Sequence, residues 1–397
     1  MRKQIPILRG LAILGVVLHH CAHWGHHVMF YWAHKYRAVE SPNFDQFGSP
    51  LYWSFVAMKQ LPWFAVPAFL FIAGFSLAYA LKGRPMTAAY RIVWTRTRML
   101  LWPYLIWSFV IFFGDFLQGQ TYSTLGYAKR LVLGGAVPAY WFIPMLIQFY
   151  ILSPLIVRWS EARPRLVLLA AATVQGAMYF LCASALGRFF RPLDGASLAM
   201  YFPLGAVCFL HYKHASQVIA RFKWSFLPAA VVLAVIMVFE RSAQLKAVML
   251  EGVAPQFGVL SQQVYALAFI VGFISLDNLR LPFARALRWL GTRSYGIYLL
   301  HFTVLIFVAR VTAKFAPALL AHQILFQPLL LLTGIGLPVL FMTGVASSPF
   351  RKLYSYLFGA GAQAPVRRKS SRDHHKEVPV SGKPHLETPV SGLEGGS

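Results

Sequence analysis

Acidic residues are scarce in this chain: 12 Asp and Glu stand against 37 Lys and Arg in 397 residues, and charged residues of both signs make up only 12%. Soluble domains carry about 25% charged residues, so a water-exposed surface of ordinary composition is excluded. Cysteine is nearly absent too. Cys21, Cys182 and Cys208 are odd in number, fit no metal-ligand spacing and lie in or beside apolar runs. They read as small membrane-packing residues and leave the redox compartment open.

Apolar residues make up 58% of the chain, and the mean hydropathy is +0.56. A net charge of +25 would suit a nucleic-acid binder, but the basic residues form short clusters between apolar runs. Those runs are about 20 residues long, the length a bilayer demands of a helix. No basic surface interleaved with aromatics is left for nucleic acid. The fold class is therefore an all-α, polytopic integral membrane protein with membrane lipids as its surroundings.

About ten transmembrane helices are expected, at 5–24, 51–81, 100–117, 138–157, 165–186, 196–212, 225–240, 258–276, 288–309 and 318–345. Pro62 and Pro67 predict a kink in the second, or a short surface helix at 51–60, and Pro144 and Pro154 a break in the fourth. With the N-terminus inside, most of the 37 basic residues fall on the cytoplasmic side, as the positive-inside rule requires. Both termini are then cytoplasmic. Residues 1–350 form the membrane domain. Residues 351–397 form a basic tail, disordered from about 363, where Pro, Gly and Ser dominate and Pro-Val-Ser-Gly occurs twice.

The opening Met1-Arg2-Lys3 and the apolar run after it could be a signal peptide. Arg9 interrupts that run and His19-His20-Cys21-Ala22-His23 is a poor cleavage site, so a retained first helix is the reading preferred here. Arg9 and His20 lie 11 residues apart, which puts both on one helical face and roughly 16 Å apart along the axis. An ionisable residue in a membrane helix is costly and faces a cavity or a partner. Arg9 can grip a phosphate or carboxylate with two parallel hydrogen bonds, and His20 can take a proton near neutral pH. The plainer reading is that Arg9 snorkels to the headgroups and His20 is interfacial. His19, His23 and His27 at i,i+4 spacing raise a metal site, but no supporting carboxylate stands at ligand spacing and no metal is expected.

Four segments carry a resemblance. They are Leu8-Arg9-Gly10-Leu11-Ala12-Ile13 with His19-His20; Val66-Pro67-Ala68-Phe69-Leu70-Phe71-Ile72-Ala73-Gly74-Phe75; Trp141-Phe142-Ile143-Pro144 with Tyr150 and Pro154; and Ser294-Tyr295-Gly296-Ile297-Tyr298-Leu299-Leu300-His301. In this order the chain resembles the acyltransferase 3 family of integral membrane acyltransferases. The resemblance implies transfer of an acyl group, commonly acetyl from acetyl-coenzyme A, to a hydroxyl of a cell-envelope sugar or a lipid-linked precursor. Acyl-coenzyme A is then a cosubstrate, with no permanently bound cofactor, in the cytoplasmic membrane of a bacterium.

It also implies that His20 and Arg9 are the catalytic pair. His301 is either a second polar group of the site or a hydrogen-bonded structural histidine, and Ser294 and Tyr298 are supporting residues that pack and hydrogen-bond at the inner end. Basic residues on the cytoplasmic side would hold the coenzyme, with Arg96 and Arg98 as candidates. Here Arg96-Thr97-Arg98-Met99 departs from the family's two arginines three apart. His19, Trp141, Gln148 and Tyr150 are candidates for the acceptor path, and Glu240 or Glu251 for orienting His20. A transporter or exporter of a glycan or small solute is the alternative function. It lacks support from any internal repeat or matched pair of broken helices. A pH-sensing role for the histidine cluster is the third.

Overall fold

A computed structural model describes residues 3–183, 197–252, 259–276 and 281–359, all within the compact unit Met1–Ala362. Helices dominate and no strand occurs among the described residues. They are α1 (Ile5–Tyr31), α2 (Pro50–Gln60), α3 (Ala65–Leu81), α4 (Met86–Leu117) and α5 (Thr124–Leu133). Next come α6 (Phe142–Ala162), α7 (Pro164–Ala183), α8 (Tyr201–Leu210), α9 (Tyr212–Arg221) and α10 (Lys223–Lys246). The last are α11 (Val259–Ser275), α12 (Ala284–Phe315), α13 (Pro317–Ala321), α14 (Gln323–Ser347) and α15 (Tyr354–Phe358).

Eight helical stretches among the described residues are long and apolar enough to cross a membrane. The protein is therefore an all-α, multi-pass membrane protein. The shorter apolar helices α8 and α11 fall where the sixth and eighth spans are expected. Helices run further than hydropathy suggests. α1 continues to Tyr31, and α4 starts at Met86, so Arg91, Arg96 and Arg98 are helical rather than in a loop. Backbone hydrogen bonding carries a helix past the apolar segment, whereas a hydropathy window stops at the first charges.

The second span breaks at Pro62, which sits in a tight turn, Leu61–Phe64, between α2 and α3. α2 starts cleanly because Ser49 Oγ accepts from the Tyr52 N–H at 3.1 Å and Pro50 occupies the first helical position. It is not a surface helix. Tyr52, Phe55 and Val56 are fully buried, and α2 packs between α1 and α10. The fourth span does not break: Pro154 lies inside a continuous α6. Pro154 has no N–H for the Tyr150 carbonyl, and the Ser153 hydroxyl donates to that carbonyl instead, at 2.6 Å.

α1 is the centre of the bundle. Leu8, Ala12, Val17, Cys21, Ala22 and Val28 are completely buried, and the helix packs on α2, α3, α12 and α14. Its closest partner is α12. A Cβ on Gly10 would overlap the Leu287 carbonyl, and one on Gly291 would stand 2.7 Å from the Pro6 carbonyl oxygen. Two glycines thus let the backbones touch, as small residues do in membrane helix pairs. The helices run parallel, since Pro6 and Gly10 meet Gly291 while Val17 shares a contact with Leu305. Their starts therefore lie on one side of the membrane.

At the periphery, α7 and α10 expose Leu166, Leu169, Val231, Val232 and Phe239, the apolar surface that lipid tails cover. Cys21 and Cys208 are buried free thiols; the Cys182 side chain lies outside those described. Past the expected boundary at 350, α15 folds back, with Phe358 buried and the Leu357 carbonyl accepting from Trp107 Nε1 at 2.8 Å. The tail from 360 lies outside the described residues.

Candidate active site

Because α1 and α12 are parallel and in backbone contact, polar residues along them meet in matching order. At one level Arg9 Nε donates to Ser294 Oγ at 2.8 Å. Ser294 is buried, so its hydroxyl holds a fixed position. The two terminal amino groups of Arg9 have no hydrogen-bond partner among the described residues, and Arg9 lines a cavity of about 380 Å³. Two further arginines, Arg96 from α4 and Arg293 from α12, line the same cavity, together with Ser294 and Tyr150. The lining thus combines three arginines with an apolar wall of Phe69, Ile72, Phe142 and Leu146. Such a space suits an elongated ligand with an anionic head and a less polar arm.

Two helical turns beyond Ser294, His301 is fully buried. Its Nδ1 lies 2.8 Å from the Tyr298 carbonyl and 3.2 Å from that of Ile297. A carbonyl only accepts, so the proton sits on Nδ1, and Nε2 of the neutral ring carries a lone pair. That Nε2 is buried with no partner. The His20 ring stands 5.3 Å from the His301 ring and 5.0 Å, edge-on, from Phe302. His19 packs edge-on against His20 at 5.2 Å, and its Nδ1 donates to the Lys59 carbonyl at 2.8 Å.

Tyr298 links the two levels. It lines the cavity, and its ring centroid lies 5.8 Å from that of His301. Its hydroxyl donates to the Ala139 carbonyl, while the Tyr140 hydroxyl donates to the Leu299 carbonyl at 2.7 Å. Tyr295 similarly ties α12 to the Leu100 carbonyl at 2.6 Å. These three tyrosines anchor α12 against its neighbours where the cavity narrows.

The structure thus brings Arg9, Arg96, Tyr150, Ser294 and Tyr298 together at the cavity, and His19, His20 and His301 together beyond it. Arg98 is exposed and does not line the cavity. Two residues on from Arg96, it projects about 200° around the helix. Trp141 and Gln148 are also exposed and absent from the cavity wall; the buried aromatics of that segment are Tyr140 and Phe142. Arg293 escaped the sequence reading, which counted it only among the basic residues of the cytoplasmic side. Its adjacency to Ser294 was the available signal.

The remaining histidines diverge. His26 is buried among Phe30, Tyr52 and Phe55, His27 faces Trp32, and His23 is exposed. No grouping of three His, Cys, Asp or Glu able to hold a metal occurs among the described residues. Glu240 accepts a hydrogen bond from Ser261, and Glu251 is exposed at a helix end. Neither is seen in contact with His20.

The fold and the paired sites on α1 and α12 define a multi-pass, all-α membrane protein with a basic cavity and, beyond it, a pair of facing histidines. A family model described as an acyltransferase domain matches residues 2–374, essentially the whole chain. The chain belongs to the acyltransferase 3 family and is a membrane acyltransferase by that membership. No curated protein and no solved structure matches it.

Proposed function

We propose that the protein is an O-acyltransferase of a bacterial cytoplasmic membrane, moving an acetyl group from acetyl-coenzyme A to a hydroxyl of a cell-envelope sugar or polysaccharide. The observation that carries this reading is the shared register of α1 and α12. Arg9 with Ser294 borders the basic cavity, and His20 with His301 lies on the same helix pair beyond it. Coenzyme A separates its phosphates from its thioester by a flexible pantetheine arm, which matches this separation of charge and base. Arg9, Arg96 and Arg293 hold the phosphates, and the arm follows the apolar wall past Tyr298.

At the far end His20 takes the proton of the acceptor hydroxyl while that oxygen bonds to the thioester carbonyl carbon. The tetrahedral intermediate then loses its carbon–sulfur bond. The departing sulfur takes the proton from the His20 imidazolium, which leaves the sugar ester and free coenzyme A. Burial in a water-poor site protects the thioester from hydrolysis.

The test is thiol release from acetyl-coenzyme A by purified protein in vesicles, with mass spectrometry of the glycan fraction. Wild type releases thiol and acetylates glycan, and His20→Ala at equal expression does neither. Unchanged acetylation by His20→Ala ends the catalytic assignment. Glycan movement across the vesicle membrane with no thiol release points instead to a transporter.

A further inference from the structure

Two cations lie in membrane-spanning helices on the His20 side of the molecule, and neither belongs to the coenzyme cavity. Lys59 is on α2, in the span Pro50–Leu81, and Arg241 is on α10, in the span Lys223–Glu251. Both are partly buried. The Lys59 ammonium makes no hydrogen bond or ion pair with any described residue. Arg241 donates from Nη1 to Gln244 Oε1 at 3.1 Å, but its Nε is buried without a partner. Glu240, the adjacent acid, is engaged by Ser261 on α11 and forms no ion pair with either cation among the described residues. The two charges act on each other, and both act on His19 and His23.

Contacts of neighbouring atoms hold their two helices near His20. The Lys59 carbonyl anchors His19, whose ring stands edge-on to His20. Ser242, next to Arg241, bonds through Oγ to the Tyr52 hydroxyl at 2.8 Å, which clamps α10 to α2. Like charges in a membrane repel and lose hydration. Holding two of them with no acid between them is costly unless a ligand supplies the counter-charge. On α1, one turn beyond His20, Trp24 packs against Trp32 at 5.3 Å and keeps a buried, unpartnered Nε1. It offers an aromatic face and one donor, as a sugar ring requires.

We propose that Lys59 and Arg241 form an oxyanion subsite beside His20, so that the acceptor sugar is held through a carboxylate or phosphate group near the hydroxyl that is acylated. This rests on the O-acyltransferase reading and narrows it to an acidic acceptor, either a uronate-type sugar or a phosphate-linked one. The subsite orients the sugar and steers it towards His20, while neutral glycans lack the group that would engage both cations.

The test uses the full-length protein in phosphatidylcholine nanodiscs, with coenzyme A at saturation to fill the arginine-lined cavity, thermal melting as the readout, and sodium glucuronate, inorganic pyrophosphate and glucose as probes. Wild type is stabilised saturably by glucuronate or pyrophosphate and not by glucose. K59Q/R241Q requires at least about tenfold more anion for the same shift, while K59R/R241K stays close to wild type. K59Q and R241Q alone, each giving part of the loss, cover the case in which the double variant does not fold. Stabilisation by coenzyme A itself is retained in all of them, since the cavity is untouched. An equal response to glucose, or an unchanged anion response in K59Q/R241Q, overturns the proposal. So does a variant that loses only the stabilisation given by phosphatidylglycerol added to the disc, because the cations are then headgroup anchors. If wild type fails to release thiol from acetyl-coenzyme A, the acyltransferase reading falls while the anion-binding result is read independently.

Discussion

His20 and His301 face each other across the α1–α12 interface with ring centroids 5.3 Å apart, and the buried Nε2 of His301 has no other partner. The Tyr298 carbonyl dictates the His301 tautomer, so Nε2 is an acceptor held beside the candidate base. In the proposed mechanism that arrangement orients His20 or shares its proton.

The first prediction follows from the geometry of amides. Asparagine places an N–H where His301 has Nδ1, so His301→Asn keeps the bond to the Tyr298 carbonyl and deletes Nε2. Acyl transfer is expected to fall about a hundredfold, the lower end of what a proton-transfer partner contributes. The KM for acetyl-coenzyme A and the melting temperature should stay near wild type. Equal activity in His301→Asn, measured by thiol release, leaves His301 with a purely structural role.

Much of this pairing was legible before any coordinates. The 11-residue spacing of Arg9 and His20 puts them on one stripe, and the resemblance drew attention to the segment from Ser294 to His301. The interface between the two helices was not legible, because it depends on Gly10 and Gly291, which are common residues in membrane helices whatever their role. Arg293 was hidden for a different reason. It lies inside the expected span 288–309, but a charge near the end of a span reads as a topology signal, and only the cavity it shares with Arg9 and Arg96 sets it apart. Which of the two forms residues 51–60 take was not legible because α10, which packs on them, is distant in sequence, and the continuous α6 was not because the Ser153 hydroxyl replaces the hydrogen bond that Pro154 removes.

The glycine crossing gives a second prediction. Gly10→Ala drives a methyl into the Leu287 backbone, which cannot yield as a flexible side chain would. The helices must part, at a cost of about 1–3 kcal/mol typical of overpacking. Gly291→Ala meets the Pro6 carbonyl at 2.7 Å and needs a smaller shift. Melting curves in detergent should rank wild type above Gly291→Ala and Gly291→Ala above Gly10→Ala. Activity should fall in the same order, as Arg9 and His20 lose register with Ser294 and His301. A Gly10→Ala protein as stable and active as wild type contradicts the close crossing.

The last prediction separates the cavity arginines from their neighbour. Arg96 and Arg293 line the cavity and Arg98 does not, although Arg96 and Arg98 look equivalent in sequence and both belong to a basic cluster near the inner headgroups. A hydrogen bond to a charged group contributes about 1.5–3 kcal/mol, or roughly a 10- to 100-fold change in affinity. Arg96→Gln and Arg293→Gln should each raise the KM for acetyl-coenzyme A by about that factor, with a smaller effect on kcat. Arg98→Gln should leave both constants within about twofold, since exposed charges there contribute little beyond screened attraction. If the three substitutions act alike, the cluster serves only to set topology, and the coenzyme's phosphates are bound elsewhere. A high KM confined to the two cavity arginines ties the donor to the end of α1 where Arg9 meets Ser294. The acceptor is then left to approach His20 from the other side of the membrane.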